Sequence, residues 1–269
     1  MSLTLGSGPL GGRPASSNYT IRSPAHKILF EADGRRLRAF VGDAVVLDST
    51  RTHLLHETGI RPVVYVPLED VDQALLERTQ TSTHCPFKGD ASYWSLRVGD
   101  ELREDAVWAY EQPLDGAPWL RGFAALAAAK ADRWMVEDEQ VAGHVRDPYH
   151  RVDVHASSRP VRVSVGDDLV AETTRPVLVF ETSMPVRAYV PRGDLVAGHL
   201  APSTTRTTSP YMGDAVHWHV HAGGRQFPDA AWSYELPIAE AMKVAGYVCF
   251  EADGIDVELG QLSSSSSPR

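Results

Sequence analysis

Asp105-Ala106-Val107-Trp108-Ala109-Tyr110 recurs as Asp229-Ala230-Ala231-Trp232-Ser233-Tyr234, 124 positions further along the chain (232 − 108 = 124). The same shift lays Trp94 on Trp218, Val41-Gly42-Asp43 on Val165-Gly166-Asp167, and Tyr65-Val66-Pro67 on Tyr189-Val190-Pro191. No gap is needed from Pro24/Pro148 to Gly122/Gly246. A period this long is several times that of a solenoid unit, so the chain reads as a tandem pair of domains and not an array. Each copy is of ordinary domain size and long enough to bury its own core. Positions that agree between the copies report on the fold, and positions that differ mark where the copies have parted.

Outward from this stretch, the local pattern is that of strands. In Tyr93-Trp94-Ser95-Leu96-Arg97-Val98, the residues Trp94, Leu96 and Val98 share a face, as Trp218 and Val220 do in the second copy. Val45-Val46-Leu47 and Val63-Val64-Tyr65-Val66 are rich in β-branched and aromatic residues, which suit a pleated surface. Gly42-Asp43, Gly99-Asp100, Gly166-Asp167 and Gly223-Gly224 supply hairpin turns. The expectation is an all-β barrel or sandwich per copy. One segment, residues 67–76, reads as a short helix, with Pro67 at its start and Glu69 and Asp70 in its first turn. The alanine-rich run from Gly122 has helical propensity, but its counterpart Gly246-Tyr247-Val248-Cys249-Phe250 reads as strand, which decides for strand in both. Residues 132–141 read as the connection between domains. The boundaries are then a flexible leader over 1–23, a first domain over 24–147, a second over 148–262 and a disordered tail over 263–269.

Bulk properties exclude several classes. The formal charge is −9, which argues against a nucleic-acid binder, since phosphate contacts want a basic face. No run of about 18 apolar residues exists to span a membrane. Two cysteines, Cys85 and Cys249, do not coincide at the repeat offset, so there is no disulfide framework and the expected location is cytoplasmic. No Walker loop, Rossmann fingerprint, nucleophile elbow or zincin helix is present, and no cofactor is identified.

The run Thr81-Ser82-Thr83-His84-Cys85-Pro86-Phe87-Lys88-Gly89-Asp90-Ala91-Ser92-Tyr93-Trp94 resembles the signature of the DUF427 family. Asp48-Ser49-Thr50-Arg51, Tyr65-Val66-Pro67 and the stretch from Asp105 to Tyr110 extend the match over both copies. The resemblance implies a mainly β fold, with two tandem tent-like (Mss4-like) barrel domains and short helical turns. It implies no settled activity. A nucleotidyltransferase-type label attached to the family finds no phosphate-cradling glycine loop here, and the acidic pair Asp70 and Asp72 is read as lacking a counterpart in the second copy. Tent-like relatives that hold zinc do so through paired Cys-x-x-Cys motifs, which this chain lacks.

Three constellations remain as candidates. The first is the loop His84-Cys85-Pro86-Phe87-Lys88-Gly89-Asp90, which gathers a thiol, an imidazole and an ammonium; nearby cations stabilise a thiolate, the reactive form. The second copy keeps Pro210, Gly213 and Asp214 but has Thr208, Ser209 and Met212 for His84, Cys85 and Lys88. The kept positions are what a turn needs. Tyr65 and Trp94 are expected to wall a pocket whose polar contacts are His84, Cys85, Lys88 and Asp90, with a small molecule as ligand and the second copy as scaffold. A rival reading makes Cys85 a nucleophile or redox thiol assisted by His84 or Lys88, and a third is an interaction module without ligand. The second constellation is His217-Trp218-His219-Val220-His221, three imidazoles at alternate strand positions that a zinc ion would use, set against the plainer reading of a solvated strand face. The third is the shared set Arg51/Arg175, Glu57/Glu181, Tyr65/Tyr189, Asp90/Asp214, Trp94/Trp218, Trp108/Trp232 and Tyr110/Tyr234, read as aromatic core plus an Arg–Glu pair pinning strands. Packing between the repeats or a homodimer surface completes the expected partners.

Overall fold

The computed structural model describes residues 26–260, so the expected leader over 1–23 and tail over 263–269 lie outside the described residues. The chain divides into two compact units at Tyr149/His150. In the first, the strands are β1 (Ile28–Ala32), β2 (Leu37–Val41), β3 (Ala44–Ser49), β4 (His53–Glu57), β5 (Ile60–Pro67), β6 (Leu76–Cys85), β7 (Gly89–Val98), β8 (Glu101–Ala109), β9 (Phe123–Leu126), β10 (Arg133–Val136) and β11 (Glu139–Gln140). The second holds β12 (Val152–Ala156), β13 (Val161–Val165), β14 (Asp168–Thr173), β15 (Val177–Glu181), β16 (Arg187–Val190), β17 (Leu200–Ser209), β18 (Gly213–Ala222), β19 (Arg225–Pro237), β20 (Val248–Phe250) and β21 (Asp256–Leu259).

Each unit is built from a seven-stranded sheet and a smaller one. The large sheets run β1-β4-β5-β9-β8-β7-β6 and β12-β15-β16-β20-β19-β18-β17, and the small sheets β11-β10-β2-β3 and β14-β13-β21. The mainly β expectation holds in both units. Among the described residues no sheet closes on itself: β1 and β6 end one large sheet, and β12 and β17 the other.

The period-2 alternation of the large sheet sorts its side chains onto two buried faces. Val66, Trp94, Leu96, Val107, Ala124 and Leu126 pack against Leu37, Ala39, Val41, Val46 and Leu47 of the small sheet. Their sequence neighbours Tyr65, Tyr93, Trp108 and Ala125 turn to the opposite face, with Leu55, Ala91, Tyr110 and Leu120. The strand at Gly122 follows the reading from its counterpart and not its propensity: β9 lies between β5 and β8.

Two local expectations are corrected. Residues 67–76 form two 3-10 turns, Leu68–Asp70 and Gln73–Leu75, instead of one helix. Between them Val71 is extended, 1 % exposed, and bridges to Leu47; burying that side chain against β3 takes precedence over continuing a short helix, which is marginal by itself. Residues 132–141 are not a connector. They supply β10 and β11, and β10 pairs with β2 as β21 pairs with β13 in the second unit.

A bulge recurs in both large sheets. The β7–β8 register slips between Trp94 and Leu96, and the β18–β19 register between Trp218 and Val220. Asp105 and Asp229 stand there with φ of 47° and 53°, a left-handed conformation that Asp tolerates through local hydrogen bonds. The Asp105 carboxylate accepts from the Thr79 and Thr81 hydroxyls at 2.7 Å each, holding the edge strand β6 in its own irregular register. Bulged edges resist pairing with another chain. No helix among the described residues is long and apolar enough to cross a membrane.

Candidate functional site

Antiparallel register places a row of side chains across the large sheet, on the face turned away from the small one. In the first repeat Tyr93 pairs with Trp108 and Trp108 with Ala125, with Tyr65 on the next strand. In the second the row is His217, Trp232, Cys249 and Tyr189. The indole of Trp108 donates to the Tyr65 hydroxyl at 3.1 Å, and that of Trp232 to Tyr189 at the same distance. Burial raises both phenols well above their ordinary range, so they act as neutral hydrogen-bonding groups.

A cavity of about 310 Å³ opens on this row in the second repeat, lined by Val179, Glu181, Arg187, Tyr189, Thr207, Ser209, Met212, His217, Trp232 and Tyr234. It combines aromatic walls with a few converging polar groups, the usual design of a small-ligand site. Shifted back by 124, its walls fall on Tyr65, Cys85 and Lys88, three of the residues singled out in the first repeat, and on Glu57, Trp108 and Tyr110. The Pro86–Lys88 turn and its counterpart present the rim. Gly89 and Gly213 begin the next strand with φ of 101° and 103°, a conformation L-residues avoid, and a Cβ at Gly213 would stand 3.3 Å from the Ile238 backbone nitrogen. That accounts for the retained glycine.

The charge at the site is conserved but its carrier is not. In the first repeat the buried Glu57 carboxylate accepts from His26 Nε2 at 2.9 Å and from Lys88 Nζ at 2.5 Å. Both side chains of the Lys88–Glu57 pair are nearly enclosed, at 10 % and 7 % exposure. In the second, Glu181 accepts from His150 Nε2 at 3.0 Å and from Arg187 Nη1 at 3.1 Å. Met212 stands where Lys88 does, and Arg187 where Val63 does. A buried carboxylate without a cation is costly, and the two copies meet that need from opposite sides. The histidine packs against an equivalent ring in each copy: His26 stacked on Phe87 at 3.8 Å, His150 tilted against Tyr211 at 4.1 Å.

The His150 hydrogen bond holds Glu181 below the usual carboxylate range, against the opposing effect of burial. Its contribution to stability is therefore present above the ordinary carboxylate pKa and is lost as pH falls through the depressed folded value. The acid limb of a denaturant-midpoint against pH curve is expected to lose part of its slope in Glu181→Gln; an unchanged limb would assign acid sensitivity wholly to other carboxylates.

The structure divides the candidates of the first repeat. Tyr65, Cys85 and Lys88 lie on the row's face with Tyr110. His84 and Asp90 do not: they bond to each other at 2.6 Å on the solvent side, at 66 % and 76 % exposure. Alternation separates them from their neighbours Cys85 and Gly89. Trp94 faces the opposite core, so it does not wall a pocket with Tyr65, and strand parity alone carries that result. Of the two residues suggested to activate Cys85, His84 is engaged by Asp90 and Lys88 by Glu57. The thiol packs against the cluster that holds Tyr110. Cys249 is 2 % exposed, and burial pushes its thiol up strongly. Iodoacetamide is thus expected to modify Cys85 in the folded protein and spare Cys249, read by peptide mass mapping; equal rates at both would contradict this packing.

The three histidines of β18 do not converge. His217 lines the cavity and bonds Thr207 Oγ1 through Nε2 at 2.9 Å. His219 Nδ1 accepts from the Asp229 amide at 3.1 Å, as Ser95 Oγ does for Asp105. His221 is exposed. No group of three metal-ligating side chains forms among the described residues. The Arg–Glu pair expected from the shared set is also replaced: Arg51 pairs with Asp70 and Arg175 with Asp194, while the glutamates take the partners above. Asp70 therefore has a counterpart, Asp194. Each accepts from the hydroxyl opening the same corner, Ser49 or Thr173, at 2.6 Å.

Residue-level reading missed His26/His150 and Arg187. The histidines carried a signal, since they coincide at the repeat offset. Arg187 carried none, because its counterpart is a valine and its role shows only once Met212 is seen to leave Glu181 without the Lys88 cation.

No curated relative matches the chain. A family model described as a domain of unknown function (DUF427) matches twice, over residues 29–137 and 153–261. The two matches are themselves offset by 124, and they extend through β10 and β21. The chain therefore belongs to the DUF427 family and carries its domain in two tandem copies.

Proposed function

We propose that this chain is a cytoplasmic small-molecule-binding protein built from two tent-like β units, with the ligand seated on the Tyr–Trp row of the large sheet. The observation that carries the reading is the cavity of about 310 Å³ in the second repeat, whose walls occupy the positions of Tyr65, Cys85 and Lys88 in the first. The volume suits a compact molecule at the lower end of ordinary ligand pockets. Retention of the indole–phenol hydrogen bond and of the part-buried His–Glu pair in both copies supports one binding architecture used twice. The copies differ in the rim residues, Cys85/Ser209 and Lys88/Met212, and so in what they select. The second repeat is then a site in its own right and not only a scaffold.

A thermal-shift screen of a fragment library tests this. Some fragments are expected to stabilise the protein, with the shift reduced in Thr207→Val/Ser209→Val, which strips hydroxyls from the cavity wall. A library giving no stabilisation, or shifts indifferent to these changes, would overturn the second-repeat site.

A further inference from the structure

The second-repeat cavity presents hydrogen-bond donors that its own walls do not use. Arg187 donates Nε to Glu251 and Nη1 to Glu181, each at 3.1 Å, and its guanidinium carbon lies 5.6 Å from the Trp232 ring centroid. Nη2 donates to nothing among the described residues. The guanidinium is held in place by two carboxylates and an indole, so its free edge is fixed before any ligand arrives; such a preorganised fork loses little on forming a further bond. The hydroxyls form a second line. Trp232 donates to Tyr189, and the Tyr234 ring lies beside that of Tyr189, 6.4 Å between centroids. Tyr234 lines the same cavity, and burial raises its pKa to about 12, so its hydroxyl keeps its proton at neutral pH.

Two donors facing one cavity call for an acceptor. Local charge decides which kind. Glu181 and Glu251 already hold the guanidinium, so a carboxylate or phosphate ligand would have to compete with them for it, while an amine would meet Arg187 itself. An uncharged carbonyl oxygen suits both donors without either cost. Met212 then supplies an adaptable apolar wall where an ammonium stands in the first repeat.

We infer that the second-repeat site takes a small uncharged molecule by a carbonyl oxygen, held between Arg187 Nη2 and the Tyr234 hydroxyl. This rests on the binding reading above and adds the ligand class. Arg187, Met212 and Glu251 are its specificity residues; the first repeat has Val63, Lys88 and Ala127 at these positions and presents an ammonium in place of the fork.

Protein-observed NMR titration with benzamide, benzoate and benzylamine tests the assignment. Benzamide is expected to shift the Trp232 indole and neighbouring signals and to bind more tightly than either charged analogue. Arg187→Lys, which keeps the charge but removes the fork, and Tyr234→Phe, which removes one hydroxyl, are each expected to weaken benzamide by roughly tenfold, the scale of one charge-assisted or buried hydrogen bond. Preserved amide dispersion certifies each variant as folded, and Tyr234→Phe remains decisive if Arg187→Lys is not. Benzoate or benzylamine binding as well as benzamide, or benzamide affinity unchanged in the folded variants, would overturn the carbonyl assignment and leave the binding site standing. No shift at the site with any of the three probes would overturn both.

Discussion

Lys88→Met is expected to lower the stability of the first repeat by about 3 kcal/mol, the scale observed when one partner of a buried ion pair is removed. The magnitude follows from enclosure. Glu57 and Lys88 are exposed by only 7 % and 10 %, so neither water nor another lysine or arginine replaces the lost ammonium. His26 is then the remaining partner of the carboxylate. Glu57 is left with a carboxylate that the enclosed site compensates only in part, which is the source of the loss. The second repeat shows the remedy, since Met212 is tolerated there beside Arg187. Adding Val63→Arg to Lys88→Met is therefore expected to recover part of the loss, and adding Ala127→Glu to recover more, because Arg187 relies on Glu251 as well as Glu181. Urea midpoints of the single, double and triple variants check this. Strictly additive losses from Lys88→Met and Val63→Arg would contradict the idea that one cation has moved between two positions.

This relocation marks the limit of what the sequence made legible. The fold was largely readable, because a fold is encoded in repeated local features and the chain displays each of them twice. Gly42 and Gly166, Trp94 and Trp218, and the strand at Gly122 and its counterpart at Gly246 all agree across the copies. Short helix against turn at residues 67–76 was not readable, because Val71 is placed by a tertiary contact with Leu47. At the site, the row residues Tyr65, Cys85 and Lys88 were found, while His84, Asp90 and Trp94 were grouped with them by proximity in sequence. Proximity in a strand sends neighbours to opposite faces, and parity would have removed all three. Arg187 lay beyond reach for a different reason: compensation between positions 63 and 88 is a relation in space, with no trace in either copy read singly.

Leu96→Ala is expected to cost about 2–5 kcal/mol, the range for a fully buried leucine whose surroundings collapse only in part. Leu96 is 0 % exposed and sits on the face of β7 that packs against the small sheet, so its removal hollows the interface between the two sheets. The second repeat has Val220 at this position, equally enclosed at 0 %, and Leu96→Val is accordingly expected to cost only about 1 kcal/mol, near the value for a single buried methylene. Hydrogen-exchange protection of the β2 and β7 amides reports on the first repeat specifically. Full protection retained in Leu96→Ala would mean that the face shared with the small sheet is not the main core of the unit.

The most direct test of the central claim, that a small molecule binds on the Tyr–Trp row, uses the row's own reporters. The indole N–H groups of Trp108 and Trp232 are hydrogen-bonded to Tyr65 and Tyr189, and their proton–nitrogen signals sense anything that enters beside them. Titration of stabilising fragments into labelled protein is predicted to move the Trp232 indole signal saturably, with Trp134, which bonds the Ala128 carbonyl in the first repeat, unmoved. Fragments that stabilise the protein while leaving the Trp232 and Trp108 signals in place would contradict it.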